Sequence, residues 1–376
     1  MTIPIDEAVL DDAQAMEQAD PGQMLRAVAS AGAQVRQAAT AAAEADLGRL
    51  VADGRPRAVV VTGMGGSGIS ADVLAAVAGS GCPVPIVPVR GYTLPGWVSA
   101  VDLVAAVSCS GSTEETLTVA AEAARRGCRM LTVGAVGSPL HALGEAARGV
   151  HIPVDAGGRL PRANMWALSV PLLAAAHALE LADVDEKVLA KVADQLDQLA
   201  ETYRPSNETF LNPAKALAVE IAGSLPMLWG SSELASVAAY RFACQLNENT
   251  KYPAVFGALP EANHNQVVAF DGALAGSGDD IFADDGAGGS ARLRLVVLRD
   301  TVEHPQVRRR REVSVEIAES RSIPVSEVAA DGEHALERLA ALVGLTDYAS
   351  VYAAFALGAD PTPITSISEL KERIAG

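Results

Sequence analysis

The clearest indication of the fold class is the sequence AVVVTGMGGSGIS at residues 58–70. Its first five residues, Ala58 to Thr62, are small or β-branched, as in a short buried strand. Glycines follow between Gly63 and Gly68, and a helical run continues from Ile69 to Val77. Glycine permits a sharp turn, and the amides that open a helix attract an anion. The stretch therefore predicts a strand–turn–helix unit with a candidate phosphate-binding turn, and a tight turn without a ligand is the competing interpretation.

The same alternation of strand and helix continues through the first half of the chain. A helix is predicted from Thr113 to Arg126, and an apolar helix from Met165 to Leu181. Four short apolar runs are predicted strands: Val84–Val89, Leu103–Ser108, Arg129–Val133 and Val150–Val154. Strands that alternate with helices pair in parallel and form a doubly wound sheet.

A polar break from Tyr203 to Glu208 precedes a second series of the same kind. Here a helix is predicted from Glu233, and the loop from Asp271 to Ser290, rich in Gly and Asp, is predicted to be an exposed insertion. The predicted strands are Leu225–Trp229, Arg292–Leu298, Ser314–Ile317 and Ile323–Val328. Two further helices are predicted near the end of the sequence, Ala335–Leu357 and Ser366–Ile374.

These patterns predict an α/β protein with two doubly wound, mainly parallel sheets of the flavodoxin type, flanked by helices at both ends of the chain. The two halves have the pattern of a distant internal duplication. The predicted divisions are an N-terminal helical segment (1–50), two α/β domains (51–205 and 206–345) and a C-terminal helical segment (346–376).

Composition limits the partners of this 376-residue chain. Its formal net charge of -17 repels phosphodiester backbones, so we expect neither nucleic acid nor an anionic membrane as a partner. The acidic first twenty residues have no basic segment followed by an apolar run, so we expect no signal peptide. The four cysteines have no CxxC or metal-like spacing, which favours buried thiols in a reducing compartment, and the cytoplasm is the expected location.

A hydroxyl-rich motif, SCSGSTEET, follows the third predicted strand at residues 108–116. Its hydroxyl groups and the first amides of the next helix can surround a phosphate with neutral donors. The competing interpretation is a capping box, formed by Thr113 with Thr116 or by Ser112 with Glu115. That interpretation leaves unexplained why Ser108 and Ser110 also carry hydroxyl groups.

Together, residues 63–74 and 108–116 resemble the sugar isomerase (SIS) domain family, which binds phosphosugars through a Ser/Thr-rich loop. The resemblance implies two SIS-type domains and a sugar phosphate as the ligand. It also implies which residues hold the phosphate: Gly66, Ser67, Ser108, Ser110 and Thr113.

The second half offers candidates for acid–base chemistry. Glu248 lies in RFACQLNENTKYP, residues 241–253, and His264 lies in PEANHN, residues 260–265. Isomerisation between an aldose and a ketose needs a base at C1 and C2, a group that opens the ring and a cation or donor for the enediolate. Glu, His and Lys or Arg are sufficient for these roles, so neither a metal nor a cofactor is expected. A glutamate taken alone, such as Glu248, is more often a solvent-exposed charge on a helix than a catalytic group. A single histidine in a turn, such as His264, is likewise more often structural than catalytic.

These two motifs resemble a narrower family, the bifunctional phosphoglucose/phosphomannose isomerases. Residues 157–163, 347–352, 360–363 and 370–371 are similar to that family as well. The resemblance implies that Glu248 moves the proton between C1 and C2 and that Arg162 stabilises the enediolate. It also implies that Lys371 assists ring opening, and that His264 does so from the partner subunit of a homodimer. Thr362 is expected to leave room for either C2 epimer.

Some positions depart from the family pattern. Cys109 stands where an aromatic residue is usual, Ser112 where Asn is usual, and Arg159–Leu160 where smaller residues or proline are common. Three alternatives remain open: an isomerase for one aldose only, a non-catalytic phosphosugar sensor, and a nucleotide-dependent enzyme. The four candidate catalytic groups and the acidic N-terminus disfavour a sensor, and the absence of a P-loop lysine disfavours a nucleotide.

Overall fold

The computed structural model describes residues 5–275 and 292–375, so most of the predicted insertion lies outside the described residues. Packing divides the chain into two units. The first unit contains residues 29–197 and 334–337, and the second contains the described parts of 1–28, 198–333 and 338–376. The N-terminal region is helical as predicted, in four pieces: α1 (Ala13–Ala19), α2 (Met24–Ala29), α3 (Ala31–Glu44) and α4 (Gly48–Ala52).

A buried lysine explains why the chain before α1 belongs to the second unit. Lys215 has no exposed surface, and its ammonium donates hydrogen bonds to the carbonyl of Leu10 and, at 2.7 Å each, to those of Pro205 and Asn207. Desolvation lowers the pKa of this lysine. All three donors are used, which is the condition under which a buried ammonium is tolerated.

The first unit contains one five-stranded parallel sheet in the order β2-β1-β3-β4-β5. Its strands are β1 (Val59–Thr62), β2 (Ile86–Val89), β3 (Leu103–Ser108), β4 (Arg129–Gly134) and β5 (Val150–Pro153). Every residue of β1 and β3 is buried, as expected for central strands covered on both faces. The strands predicted for this half are confirmed, and their order is that of the flavodoxin type.

Five helices follow the strands of the first unit in the chain: α5 (Gly65–Ala78), α6 (Glu114–Arg125), α7 (Pro139–Ala146), α8 (Met165–Ala178) and α9 (Glu186–Thr202), of which the last five residues belong to the second unit. Helix α8 is buried on nearly all sides, which explains its continuous apolar sequence. Helix α5 begins at Gly65, so the predicted start at Ile69 is wrong. Glycine is a weak helix former, but positions in a first turn are less demanding than interior ones.

The second unit contains a four-stranded parallel sheet in the order β7-β6-β8-β9. Its strands are β6 (Ser224–Gly230), β7 (Val255–Ala258), β8 (Arg292–Arg299) and β9 (Val325–Ala329). Its helices are α10 (Pro213–Ile221), α11 (Glu233–Gln245), α12 (Pro305–Ser320), α13 (Ala335–Ala356) and α14 (Thr365–Ala375). By length and composition α13 could cross a membrane, but it is packed as a core helix with 89% of its apolar window buried. The predicted fold class, two parallel α/β sheets with flanking helices, is confirmed.

The predicted strand Ser314–Ile317 is wrong, because these residues lie inside α12. The local Val and Ile content suggested a strand, but the burial has the period of a helix, with Arg311, Ser314 and Ala318 buried. The helix start is also encoded: Pro305 occupies its first turn, and the His304 side chain accepts a hydrogen bond from the Gln306 amide at 3.2 Å.

Candidate active site

The first sheet has its topological switch point between β1 and β3, since successive strands are added on opposite sides of that pair. In doubly wound sheets, ligands bind at the carboxyl edge of such a point. Two loops begin there: the glycine turn, residues 63–68, and the hydroxyl loop, residues 108–113. The Ser67 hydroxyl accepts a hydrogen bond from the Cys109 amide at 3.2 Å. The structure therefore joins the two motifs that the sequence suggested for phosphate.

The glycine turn is shaped by a close approach of backbone. A Cβ on Gly66 would lie 2.7 Å from the Pro161 carbonyl oxygen and 2.8 Å from the Arg162 nitrogen, so only glycine fits. Arg162 follows in a short 3-10 helix, Pro161–Ala163, and is 3% exposed. The first unit thus brings the backbone of Arg162 directly against the glycine turn.

The hydroxyl loop is held by its own side chains. The Ser108 hydroxyl lies 2.9 Å from that of Thr113 and accepts a hydrogen bond from the Gly111 amide at 3.1 Å. The Ser112 hydroxyl donates to that of Ser110 at 3.0 Å. Gly111 has φ +67°, and a Cβ there would clash with the Ser138 hydroxyl. These contacts preform the loop before any ligand arrives.

The capping-box interpretation does not describe this loop. Thr113 is the N-cap residue of α6, but its side chain makes no capping hydrogen bond. The first amides of α6 have no acceptor within the helix and keep their donors for another partner. The hydroxyl groups therefore order the loop, and the helix start remains a suitable anion-binding position.

The predicted phosphate residues fall into two groups. Ser67 and Ser108 are buried, and each accepts a backbone hydrogen bond within the two loops. Ser110 is exposed and Thr113 is partly buried, so their hydroxyl groups lie nearer the surface. Which of these residues touch the phosphate stays a prediction.

The corresponding position of the second sheet, between β6 and β8, is occupied by the protein itself. Asp300 follows β8, is 4% exposed, and accepts a hydrogen bond from the Ser232 hydroxyl at 2.9 Å. Its amide donates to the Ser231 hydroxyl at 3.0 Å. Arg338 neutralises the carboxylate at 2.8 Å. An internal anion is therefore already bound at the second switch point, whereas the loops of the first present neutral donors.

Glu248 lies in an unusual helical turn. Helix α11 continues into a π-helical turn, Leu246–Thr250, which ends at Lys251 with a left-handed φ of 56°. π-helical turns are rare in proteins overall, but those that occur are often found at functional sites. Glu248 is partly buried, so it is not the fully solvated helix charge of the competing interpretation. The Asn249 side chain, with no exposed surface, donates to the Ser350 hydroxyl at 2.9 Å.

A buried ion pair stabilises the helix that carries this turn. The Arg241 guanidinium binds both carboxylate oxygens of Asp347 on α13, at 2.8 and 2.7 Å. The Gln245 amide also donates to Asp347, at 3.2 Å. Arg241 and Asp347 have side chains only 4% and 9% exposed. The second unit thus joins two of the segments on which the family resemblance depends.

A third segment of the resemblance joins the same turn. The Lys251 ammonium donates hydrogen bonds to the Asn249 carbonyl at 3.1 Å and to the Asp360 carbonyl. The Thr362 amide donates to the Asp360 carboxylate at 2.8 Å. Gly22 packs so closely against Thr362 that a Cβ on Gly22 would clash with the Thr362 hydroxyl. The proposed epimer-specificity residue is therefore tied to the turn that carries Glu248.

Two predicted catalytic residues are not fixed within the second unit. His264 ends a 3-10 helix, Glu261–His264, and is exposed, as is Lys371 on α14. Neither side chain makes a hydrogen bond or ion pair with the described residues. The neighbours of His264 are fixed instead: the Asn263 side chain donates to the Ser314 hydroxyl at 2.7 Å. Residues 5–275 and 292–375 also contain no group of three His, Cys, Asp or Glu side chains arranged for a metal.

Comparisons with known proteins identify the family of this chain. Residues 210–374 match the family "Bacterial phospho-glucose isomerase C-terminal SIS domain". A bifunctional phosphoglucose/phosphomannose isomerase of Caldicellulosiruptor bescii is 30% identical over 317 residues, which cover 84% of this chain and 89% of that relative. The chain belongs to the bifunctional phosphoglucose/phosphomannose isomerase family.

Further relatives agree with membership of this isomerase family. A protein of the same name from Aquifex aeolicus is 29% identical over 319 residues, covering 85% of this chain and 90% of the relative. A glucose-6-phosphate isomerase like protein from Thermus thermophilus superposes with a TM-score of 0.58, 20% identity, and coverage of 96% and 98%. That structure shows the same fold. The family suggested by the sequence motifs is confirmed, and the named relatives are isomerases.

Proposed function

We propose that this chain is a metal-independent isomerase that interconverts glucose 6-phosphate, mannose 6-phosphate or both with fructose 6-phosphate through a cis-enediol. The observation that carries the proposal is the difference between the two switch points. The hydroxyl loop and glycine turn of the first present neutral donors, while Asp300 already occupies the second. Family membership supplies the reaction class, since the named relatives are phosphoglucose/phosphomannose isomerases.

The phosphate is proposed to bind at the first switch point. Ser110 and Thr113, together with the first amides of α6, offer donors to its oxygens. Ser67 and Ser108 already accept hydrogen bonds from backbone amides. A hydroxyl that accepts a bond still has its own proton to donate, so both can also contribute. Binding energy from this remote group would orient the reacting carbons.

The chemistry is proposed to take place on the open-chain sugar. The Glu248 carboxylate takes the proton from C2 of the aldose and returns it to C1, while one proton moves from the oxygen on C2 to that on C1. No net proton or electron is gained, so no cofactor is needed. Arg162 stabilises the enediolate, and Lys371 assists ring opening. Thr362 leaves room for either C2 epimer. We further propose that the enzyme acts in the cytoplasm.

His264 is proposed to open the sugar ring from the partner subunit of a homodimer. Its exposure, and the lack of a hydrogen bond to the described residues, support a partner outside its own chain. In a closed dimer each site would then combine Glu248 of one protomer with the histidine of the other.

Mixing two inactive variants tests this arrangement. Glu248→Gln and His264→Ala proteins are each expected to have little activity. After the subunits exchange, half of the dimers are mixed, and one site in each has both groups intact, so about a quarter of wild-type activity should return. The coupled assay for fructose 6-phosphate measures it, and a variant mixed with itself is the control. No recovery after demonstrated exchange would place His264 in its own subunit's site or outside catalysis.

The reaction itself is tested by incubating the purified protein with glucose 6-phosphate and, separately, mannose 6-phosphate in the presence of EDTA. Fructose 6-phosphate is expected from at least one of them at the rate seen without EDTA. Product from only one aldose would identify a single-substrate enzyme. Binding without product would indicate a non-catalytic sensor, and inhibition by EDTA that a divalent metal reverses would contradict the metal-independent mechanism.

A further inference from the structure

One segment of the first unit crosses the carboxyl edge of its sheet. It starts at β5, the outermost strand on one side, where the Val154 amide donates to the Gly134 carbonyl at 2.9 Å. It ends at Pro161, whose backbone packs on Gly66 in the turn after β1. Residues 155–160, here called the crossing segment, must therefore pass the ends of β4 and β3. The hydroxyl loop begins at the end of β3, so the crossing segment passes beside it.

Arg159 is the cation of the crossing segment, and its side chain is oriented by neighbouring acceptors. The guanidinium donates to the Asn164 side-chain oxygen at 2.9 Å and to the Asp155 carbonyl at 3.1 Å. Asn164 is completely buried, and its amide group donates to the carbonyls of Arg159 and Leu160 at 3.2 and 3.1 Å. A buried asparagine thus fixes both the backbone and the side chain of this arginine.

The charge of Arg159 is not neutralised by the residues that the structure describes. No described carboxylate forms an ion pair with it, and both of its acceptors are neutral oxygens. The nearby Asp155 carboxylate instead accepts a hydrogen bond from the Gly157 amide at 2.8 Å. Arg159 is only partly exposed, in a chain with a net charge of -17. An oriented guanidinium without a carboxylate is suited to an anion from solution.

The field of Arg159 reaches the hydroxyl loop. Burial raises the pKa of the Cys109 thiol, and the positive charge of Arg159 partly opposes that rise. Cys109 lies between Ser108 and Ser110, and its amide is bound to the Ser67 hydroxyl. The same positive charge therefore acts on whatever anion occupies the loop.

We infer that Arg159 binds the phosphate group of the substrate at the hydroxyl loop and adds a charged donor to the neutral donors of that loop. The inference rests on the proposed function and extends it, because it assigns a binding role to a residue of the crossing segment. The ligand class is a phosphate monoester dianion, whose oxygens match the paired N–H groups of a guanidinium. Arg159 does not take part in the chemical step, so its contribution should appear in KM and leave kcat nearly unchanged.

The test compares Arg159→Gln and Arg159→Lys with the wild type. Loss of a charged hydrogen-bond donor is expected to raise KM for the sugar phosphate roughly tenfold or more, with kcat within about twofold. The inhibition constant of inorganic phosphate should rise by a similar factor. The lysine variant keeps the charge without the paired donors and should recover part of the affinity. Arg125→Gln is the matched control, because Arg125 is exposed in the last turn of α6 and carries the same charge.

The outcomes separate this inference from the proposed function. If the wild type makes no ketose, the proposed function fails, and calorimetric titration with inorganic phosphate still tests Arg159 by itself. An active enzyme whose KM and phosphate inhibition are unchanged in the glutamine variant would overturn the inference. A fall in kcat with unchanged KM would also overturn it, since that pattern assigns Arg159 to the chemical step. An equal rise in KM for Arg125→Gln would also overturn the inference, because it would show that the effect comes from the net charge of the protein and not from the position of Arg159.

Discussion

Replacement of Glu248 by glutamine is expected to abolish isomerisation while the protein still binds sugar phosphate. Glutamine keeps the size of the side chain and its place in the π-helical turn but cannot take a proton from C2. Loss of a positioned general base lowers kcat by about 10²- to 10⁴-fold. Glu248 is partly buried in a turn held by the Asn249–Ser350 hydrogen bond, so the substitution should leave the backbone in place. The measurements are kcat by the coupled assay and the Kd for fructose 6-phosphate by calorimetry.

Glu233→Gln is the control for this substitution. Glu233 is exposed and lies in the first turn of the same helix, α11, at the opposite end from the π-helical turn. Its replacement by glutamine removes the same charge at a position far from Glu248. It should leave kcat within about twofold, as surface substitutions usually have small effects. Turnover retained in Glu248→Gln would remove this carboxylate from the mechanism, and loss of binding as well would assign it to substrate affinity.

Replacement of Arg241 by methionine is expected to destabilise the second unit by about 3–5 kcal/mol. The substitution leaves the Asp347 carboxylate buried on α13 without its bidentate partner, and Gln245 alone cannot compensate for the charge. Since Arg241 precedes the turn of Glu248 on the same helix, local opening should also lower activity. Hydrogen exchange of the peptides that cover α11 and α13 measures the change, as it reports the opening free energy of each region.

Two further variants show whether the loss of stability comes from the unpaired buried carboxylate. The double variant Arg241→Met/Asp347→Leu removes both charges and should recover most of the lost stability, because paired apolar replacements of a buried ion pair are often close to neutral. Arg373→Met breaks an exposed pair with Glu369 and should cost less than about 1 kcal/mol. An Arg241→Met protein with wild-type exchange rates would contradict this expectation, because it would show that the ion pair contributes little to the stability of the second unit.

The sequence predicted the architecture well where local signals and packing agree. The buried runs of β1 and β3 and the glycine turn after β1 are all found. Two features were not predictable in the same way. Residues 314–317 contain β-branched residues but are helical, because the packing period of α12 overrides local preference. Strand β7 has only four residues, mostly half exposed at the sheet edge, and its pattern is too short to detect.

The sequence predicted the motifs of the site, but it did not predict which side chains hold the loops in place and which remain available to a ligand. The sequence predicted that the Ser67 and Ser108 hydroxyl groups hold the phosphate. Only the structure shows that each of them accepts a hydrogen bond from a backbone amide within the two loops. No sequence pattern indicated that Asp300 fills the second switch point, because its partner Arg338 is 38 residues away in the chain. The glycine turn also has the G-x-G-x-x-G spacing of dinucleotide-binding turns. Spacing alone therefore does not distinguish a dinucleotide from a sugar phosphate at this turn.

A crystal structure of the Glu248→Gln protein with bound glucose 6-phosphate would locate both ends of the substrate in the site. We expect phosphate oxygens within hydrogen-bond distance of the Ser110 and Thr113 hydroxyl groups, and the side chain at position 248 within about 3.5 Å of C1 or C2, as proton transfer requires. A phosphate bound elsewhere, or reacting carbons well beyond that distance from position 248, would contradict the proposed mechanism.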